Sequence, residues 1–156
     1  MNDQATVRSD AKELELLSFR VGEQEYSVDI MSVREIRGWT KTTILPHAQP
    51  YVKGVINLRG SVVPVVDLSE RLGLGTTDPG PRHVIIITVL GQRTVGLLAD
   101  VVSDILTVAE ADIQPIPEIV DDAVRRFISG VLVLDERMIR KMDLAMIIPT
   151  ESKSAA

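Results

Sequence analysis

The sequence predicts a mainly β domain built from two similar halves of about five strands each, and three observations carry that expectation. Of 156 residues, 45% are hydrophobic but only 3% are aromatic. The core must therefore be made of Val, Ile and Leu, whose β-branched members favour strands. Glycine-bearing dipeptides, Gly22-Glu23, Arg59-Gly60 and Gly91-Gln92, stand between apolar runs as hairpin turns require. The chain also repeats itself. A shift of 69 places sets Gly22 on Gly91, Val33 on Val102, Glu35 on Asp104 and Ile36 on Ile105. A shift of 76 sets Gly54-Val55 on Gly130-Val131, Leu58 on Leu134 and Asp67-Leu68 on Asp143-Leu144. Each half then runs hairpin, turn, connecting segment, hairpin, capped helical turn, the content of a small barrel.

Along the chain, "ELLSFRV" and "EYSVDI" read as strands joined at Gly22-Glu23, and "MSVREIRG" as a helical turn leading into a short strand. "PHAQP", between Pro46 and Pro50, is a loop. "KGVINLRGSVVPVVDL" gives two strands turning at Arg59-Gly60, where Gly60 can supply the positive φ of a tight turn. Asp67 followed by Glu70 reads as a capping box, opening a short helix that ends near Gly73. The Gly- and Pro-rich stretch 73–82 is the clearest linker, with little to bury, and divides a first half of about 14–72 from a second of about 83–148. "HVIIITVL" and "TVGLLA" form the next hairpin around Gly91-Gln92, followed by the β-branched run "DVVSDILTV". A short helix is expected over 118–126, then a hairpin and a last helical turn in "ISGVLVLDERMIRKMDLAMII". Residues 1–12 and 150–156 read as flexible ends.

A chain of this length buries roughly 70% of the surface its unfolded form exposes, so its core needs no staples. Its net charge of -5 has the wrong sign for neutralising phosphates, and so few aromatic rings leave no stacking platform; nucleic acid is not an expected partner. No cysteine is present, which removes disulfides, thiolate metal sites and cysteine catalysis. The polar start lacks an apolar signal core, and no apolar run approaches the roughly 20 residues of a membrane helix. The expectation is a cytoplasmic protein without direct membrane insertion.

Little in the sequence converges on catalysis. His47 sits in a proline-flanked loop and His83 at a strand start, with no metal-ligand spacing between them. Asp29, Asp67, Asp100 and Asp143 all stand where strands end, and Asp67, with Asp143 by the repeat, is accounted for as a helix cap. "GLGTTDPG" lacks the lysine and following helix of a phosphate cradle, and "DDAVRR" reads as a solvated face. No catalytic residue, cofactor or metal is expected.

The ordered segments "VREIRG", "YVKGVINLRGSVVPVVDL", "GLLADVVSDIL" and "GVLVLDERM" resemble the CheW family of bacterial chemotaxis coupling proteins over residues 14–148. The resemblance implies two interlocked five-stranded SH3-like β-barrels with short helical turns, and a non-enzymatic adaptor. Its implied partners are the cytoplasmic tips of membrane chemoreceptors and the regulatory domain of a CheA-type histidine kinase, with recruitment to receptor arrays. A chain of this length has no room for the kinase or receiver domains to which related modules are fused. A scaffold in another receptor-kinase pathway, controlling surface motility or gene expression, is left open, as is an uncharacterised enzyme.

Carried over to matching positions, the resemblance places Val33, Glu35, Arg37, Asn57, Leu58, Arg59 and Gly60, with Val101 and Val102 from the second half, at or beside the receptor-facing surface. Glu35 and Arg59 are expected to approach each other there. One segment departs from the family pattern: Arg140-Lys141 stands where apolar residues are expected. The repeat sets Arg140 on Pro64, and two edge-compatible residues at matched places suggest that both strands are edges or bulged.

Overall fold

The structure, a computed structural model, describes residues 12–149; the expected flexible ends lie outside the described residues apart from Lys12. Ten strands fill two five-stranded sheets. The first half supplies β1 (Glu13–Val21), β2 (Gln24–Asp29), β3 (Val33–Gly38), β4 (Val52–Leu58) and β5 (Ser61–Asp67). The second supplies β6 (Val84–Leu90), β7 (Arg93–Ala99), β8 (Val101–Ala109), β9 (Ile128–Leu134) and β10 (Arg137–Met142). The sheet orders are β8-β1-β2-β10-β9 and β3-β6-β7-β5-β4. Each sheet therefore takes two strands from one half and three from the other. β3 pairs with β6 as β8 pairs with β1, and β5 lies parallel to β7 as β10 lies parallel to β2. This exchange is the interlocking that the family resemblance implies.

Both faces of the central strands are buried, which is why they read as continuous apolar runs instead of alternating ones. In β1, Leu16 faces one small cluster with Val108, Leu132 and Ile139, while Leu17, Phe19 and Val21 face a larger one. In β6, Ile85 and Ile87 face a second small cluster with Ile56, Leu58, Val63 and Val65, while Ile86 joins the larger one. Each small cluster draws its buried members from a single sheet. The large cluster, which also holds Val28, Val66, Leu97 and Phe127, lies between the sheets and binds the halves into one body.

One isolated bridge joins the segment after each sheet's first edge strand to the opposite edge strand, Thr43, beyond β3, to Val55 of β4 and Gln114, beyond β8, to Val131 of β9. The matched glycines Gly54 and Gly130 permit the approach. A Cβ on Gly54, where φ is 148°, would stand 2.3 Å from the Thr43 carbonyl oxygen, and one on Gly130 would stand 2.6 Å from Ile113 Cγ2 and 2.9 Å from the Gln114 carbonyl oxygen.

The helical turns form at Leu68–Arg71, Asp122–Arg125 and Leu144–Ile147. Asp67 and Asp143 cap theirs, accepting from the Ser69 and Ala145 amides. Glu70 does not complete a capping box; its carboxylate meets the Thr76 hydroxyl at 3.4 Å. Asp67 itself does more than cap. It is 1% exposed and also accepts from the Thr77 amide and hydroxyl, while Lys53 Nζ donates to the Thr77 carbonyl oxygen. The 73–82 segment is thus pinned at Thr77 by three hydrogen bonds. Arg71 ties the two C-terminal turns together, donating to the Met146 and Ile147 carbonyl oxygens with its guanidinium 4.0 Å from the Tyr51 ring centre.

The edge assignment for Arg140-Lys141 is overturned. β10 is central, pairing Arg140 with both Tyr26 and Val131 and Lys141 with both Ser27 and Gly130; β5 is central too, but Pro64 pairs only with Val55 of β4, the ladder to β7 beginning at Val65, so the edge-like setting holds at Pro64. A register shift does follow Lys141 on the β9 side. Both side chains are half-buried, and the Arg140 guanidinium lies 5.8 Å from the centre of the Tyr26 ring. A long amphipathic stem along apolar surface satisfies a central position that residue type alone marks as charged.

Candidate partner-binding surface

The exposed end of the second sheet brings together six of the nine residues expected at the surface. Edge strand β3 carries Glu35 and Arg37, and the β4–β5 hairpin at the opposite edge carries Asn57, Leu58, Arg59 and Gly60. The β3–β6 register shifts between Val33 and Glu35, a bulge of the kind that re-aims side chains. Arg59 donates to the Glu35 carboxylate, and Arg37 lies 3.8 Å from the same group. The pair thus spans the gap between the sheet's two edges.

The hairpin backbone is unusual. With Leu58 opposite Ser61, the loop has two residues, and both have positive φ: 50° at Arg59 and 91° at Gly60. Sequence reasoning gave that conformation to Gly60 alone, because a left-handed arginine has no local signal. A two-residue turn of this geometry matches the twist of its strands. The Asn57 side chain steadies it by accepting from the Gly60 amide at 2.9 Å. Arg59 remains largely exposed, and Asp135, which the repeat sets on it, has the same left-handed backbone at φ 53° in the matching hairpin, so the conformation belongs to the turn.

The electrostatics favour ionisation throughout. The Arg59 hydrogen bond, followed by the nearby charges of Arg59, Arg37 and Arg34, holds the Glu35 carboxyl below its ordinary range, and Glu35 in turn raises the Arg59 guanidinium. Beside the pair lies a hollow of about 330 Å³ lined by Arg34, Leu58, Arg59, Ser61, Gln92 and Thr94.

The other named residues sit elsewhere. Val33 and Val102 pack partly buried against the core between the sheets. Val101, 44% exposed, lies on edge strand β8 of the other sheet, opposite Arg20. Leu58 is 6% exposed and forms part of the second sheet's interior, so it floors the surface and does not project from it. Sequence reasoning missed Arg34, Ser61, Gln92 and Thr94; no charge or spacing signal sets them apart, and only folding gathers them.

The other sheet builds a related but different end. Asp104, which the repeat sets on Glu35, accepts from the Ser18 hydroxyl at 2.6 Å and lies 3.5 Å from Arg137. Arg137 chiefly serves Glu25, with hydrogen bonds of 2.6 and 3.1 Å, and that partner holds its guanidinium protonated.

The remaining polar candidates have structural work. Asp29 accepts from the Met31 amide, and Asp100 from the Gly22 amide. His83 lies 3.5 Å from Asp100 and accepts from the Gly80 amide. Among the described residues no group of three side chains could hold a metal ion, and no helix is long and apolar enough to cross a membrane.

With the two exchanged sheets in place, the comparisons with known proteins decide the family. A model of the CheW-like domain matches residues 15–152. The chain belongs to the CheW-like domain family. A chemotaxis protein CheW of Rhizobium meliloti (strain 1021) is 56% identical over 142 residues, covering 91% of this chain and 92% of that protein. The Protein FrzA of Myxococcus xanthus is 33% identical and covers 83% of this chain. The crystal structure of the scaffolding protein TtCheW from Thermoanaerobacter tengcongensis superposes with a TM-score of 0.75 at 30% identity, covering 84% of each chain. The CheW-like fold is thus shared with the solved structure of a scaffolding protein.

Proposed function

We propose that this chain is a non-enzymatic adaptor that couples the cytoplasmic tips of membrane chemoreceptors to a CheA-type histidine kinase, and that it is recruited from the cytoplasm to receptor arrays. The observation that carries the reading is the exposed Glu35–Arg59 pair, built on a left-handed arginine and a bulged edge strand. Isolated surface pairs contribute only about 0 to 1 kcal/mol to stability. A charge pair held between two sheet edges for so little folding benefit is better explained by orienting charge for a docked protein, where charge complementarity fixes register and rejects wrong partners. In this reading Arg37, Asn57 and Gly60 belong to the receptor-facing surface with Leu58 beneath it, and the surface extends from this end toward Val33, Val101 and Val102. Family membership and the names of the relatives support the pathway.

A bridge between receptor clusters and kinase dimers gains from effective concentration, so its individual contacts can be weak. Affinity capture with this chain as bait tests the reading. Recovery of a chemoreceptor together with a CheA-type kinase is expected; recovery of neither, or of one alone under conditions that preserve both, counts against it.

A further inference from the structure

The two sheets treat one matched pair of positions oppositely. In the first sheet, Glu25 on β2 and Arg137 on β10 pair inside the sheet's end. The repeat sets Glu25 on Thr94 and Arg137 on Ser61, and these two short hydroxyl residues line the hollow beside Arg59. Two further acids of the first sheet's end, Glu23 and Asp135, fall on Gln92 and Arg59. Where one sheet carries a glutamate and its arginine, the other leaves a space of about 330 Å³ with Arg34 and Arg59 at its wall and no acid of its own among the lining residues.

We propose that this hollow is a carboxylate-binding site, filled in the docked complex by a glutamate side chain of the bound protein. The assignment of the acid to a docked protein rests on the docking reading above; the carboxylate site itself does not. Arg34 supplies a forked guanidinium, which matches a carboxylate's two oxygens, and Arg59, bonded to Glu35 through one of its nitrogens, adds positive charge. The hydroxyls of Ser61 and Thr94 and the amide of Gln92 add neutral donors. Leu58 and Val63 at the base offer apolar surface for the methylene stem. Glu35 does not fill the role, because its carboxylate is engaged at the rim by Arg59. The molecule's own Glu25 is the precedent for the size and charge of the missing group.

The test is an amide NMR titration of the whole chain with sodium acetate at constant ionic strength, with sodium chloride as the reference salt. Saturable shifts are expected at Ser61, Gln92 and Thr94 with acetate and not with chloride. Arg34→Gln is expected to weaken acetate binding by about tenfold, as loss of a charge-assisted hydrogen bond does. Thr94→Glu, which restores the other half's acid, should abolish it, whereas Thr107→Glu on exposed β8 adds the same charge away from the hollow and should not. The amide spectrum reports folding of each variant, and Arg34→Gln carries the test if Thr94→Glu does not fold. Equal responses to acetate and chloride, or no saturation, overturn the carboxylate site. If that occurs while Arg59→Glu still loses receptor docking, the docking reading stands and this inference alone falls. If acetate saturates but Thr94→Glu docks receptor normally, the acid does not come from the docked protein.

Discussion

Arg59 and Glu35 stand at opposite edges of one five-stranded sheet, and their ion pair spans the gap between those edges. The acid on the matched edge of the other sheet, Asp104, faces an arginine as well, but Arg137 is shared there with the more buried Glu25. One duplicated plan has thus yielded one end closed by an internal ion pair and one end with arginines facing solvent.

Glu35 titrates below its ordinary value of 4.5 because Arg59 and its neighbours stabilise the charged form. For a depressed carboxyl, the contribution of the pair is present above the ordinary value and lost as pH falls through the lower folded value. Carbon-detected NMR titration should therefore show Glu35 ionised from about pH 8 to about pH 5, with its midpoint moving up toward the ordinary value in Arg59→Gln. An unchanged midpoint in that variant would show that Arg59 is not the main cause.

Gly54→Ala should destabilise more than Gly130→Ala. The first puts a Cβ against a backbone oxygen at 2.3 Å and strains a φ of 148°, while the second meets a methyl group at 2.6 Å as its nearest atom. Overpacking of this kind costs about 1 to 3 kcal/mol, with Gly54 expected at or above the upper end. Urea unfolding of both variants measures the order, and equal costs would indicate that the bridges yield alike.

Asp67→Ala and Asp143→Ala form a second matched pair. Asp143 caps a single amide, so its loss should cost about 1 kcal/mol. Asp67 also holds the Thr77 amide and hydroxyl, and removing it leaves those donors without their acceptor, adding about 1 to 3 kcal/mol. Hydrogen exchange at Thr77 should accelerate in Asp67→Ala only.

Arg137→Met should cost about 1.5 to 3 kcal/mol, because it strands the Glu25 carboxylate, whose side chain is 10% exposed. Adding Glu25→Gln should recover most of that loss, since a neutral amide is cheaper to bury than an unpaired charge. Thermal unfolding of the single and double variants measures the coupling; a double variant no more stable than Arg137→Met would show that the pair is not the source of the cost.

The features legible in the sequence were the local ones. Gly22 and Gly91 marked hairpins, both with φ near 64° as the turns require, and Asp67 and Asp143 marked helical caps. The exchange of strands between halves was not legible from the repeat, because shifts of 69 and 76 residues are the same whether each half closes on itself or on the other; the family resemblance supplied it. Arg140-Lys141 misled for a related reason. Charge suggests an edge, but a stem packed beside Tyr26 makes the same residue suitable for a central strand. At the candidate surface, Glu35 and Arg59 were readable from motif positions, whereas the hollow beside them depends on β3, β4, β5 and the β6–β7 turn meeting in space.

Receptor-dependent autophosphorylation of a CheA-type kinase, reconstituted with this chain or with its Glu35→Arg and Arg59→Glu variants, tests the central claim most directly. Each reversal should leave the amide spectrum of a folded domain and lower kinase stimulation toward the level seen without adaptor, because the docking face would carry like charges where it now carries a pair. Stimulation by both single reversals equal to that of the unaltered chain would contradict the claim that this pair orients the receptor-facing surface.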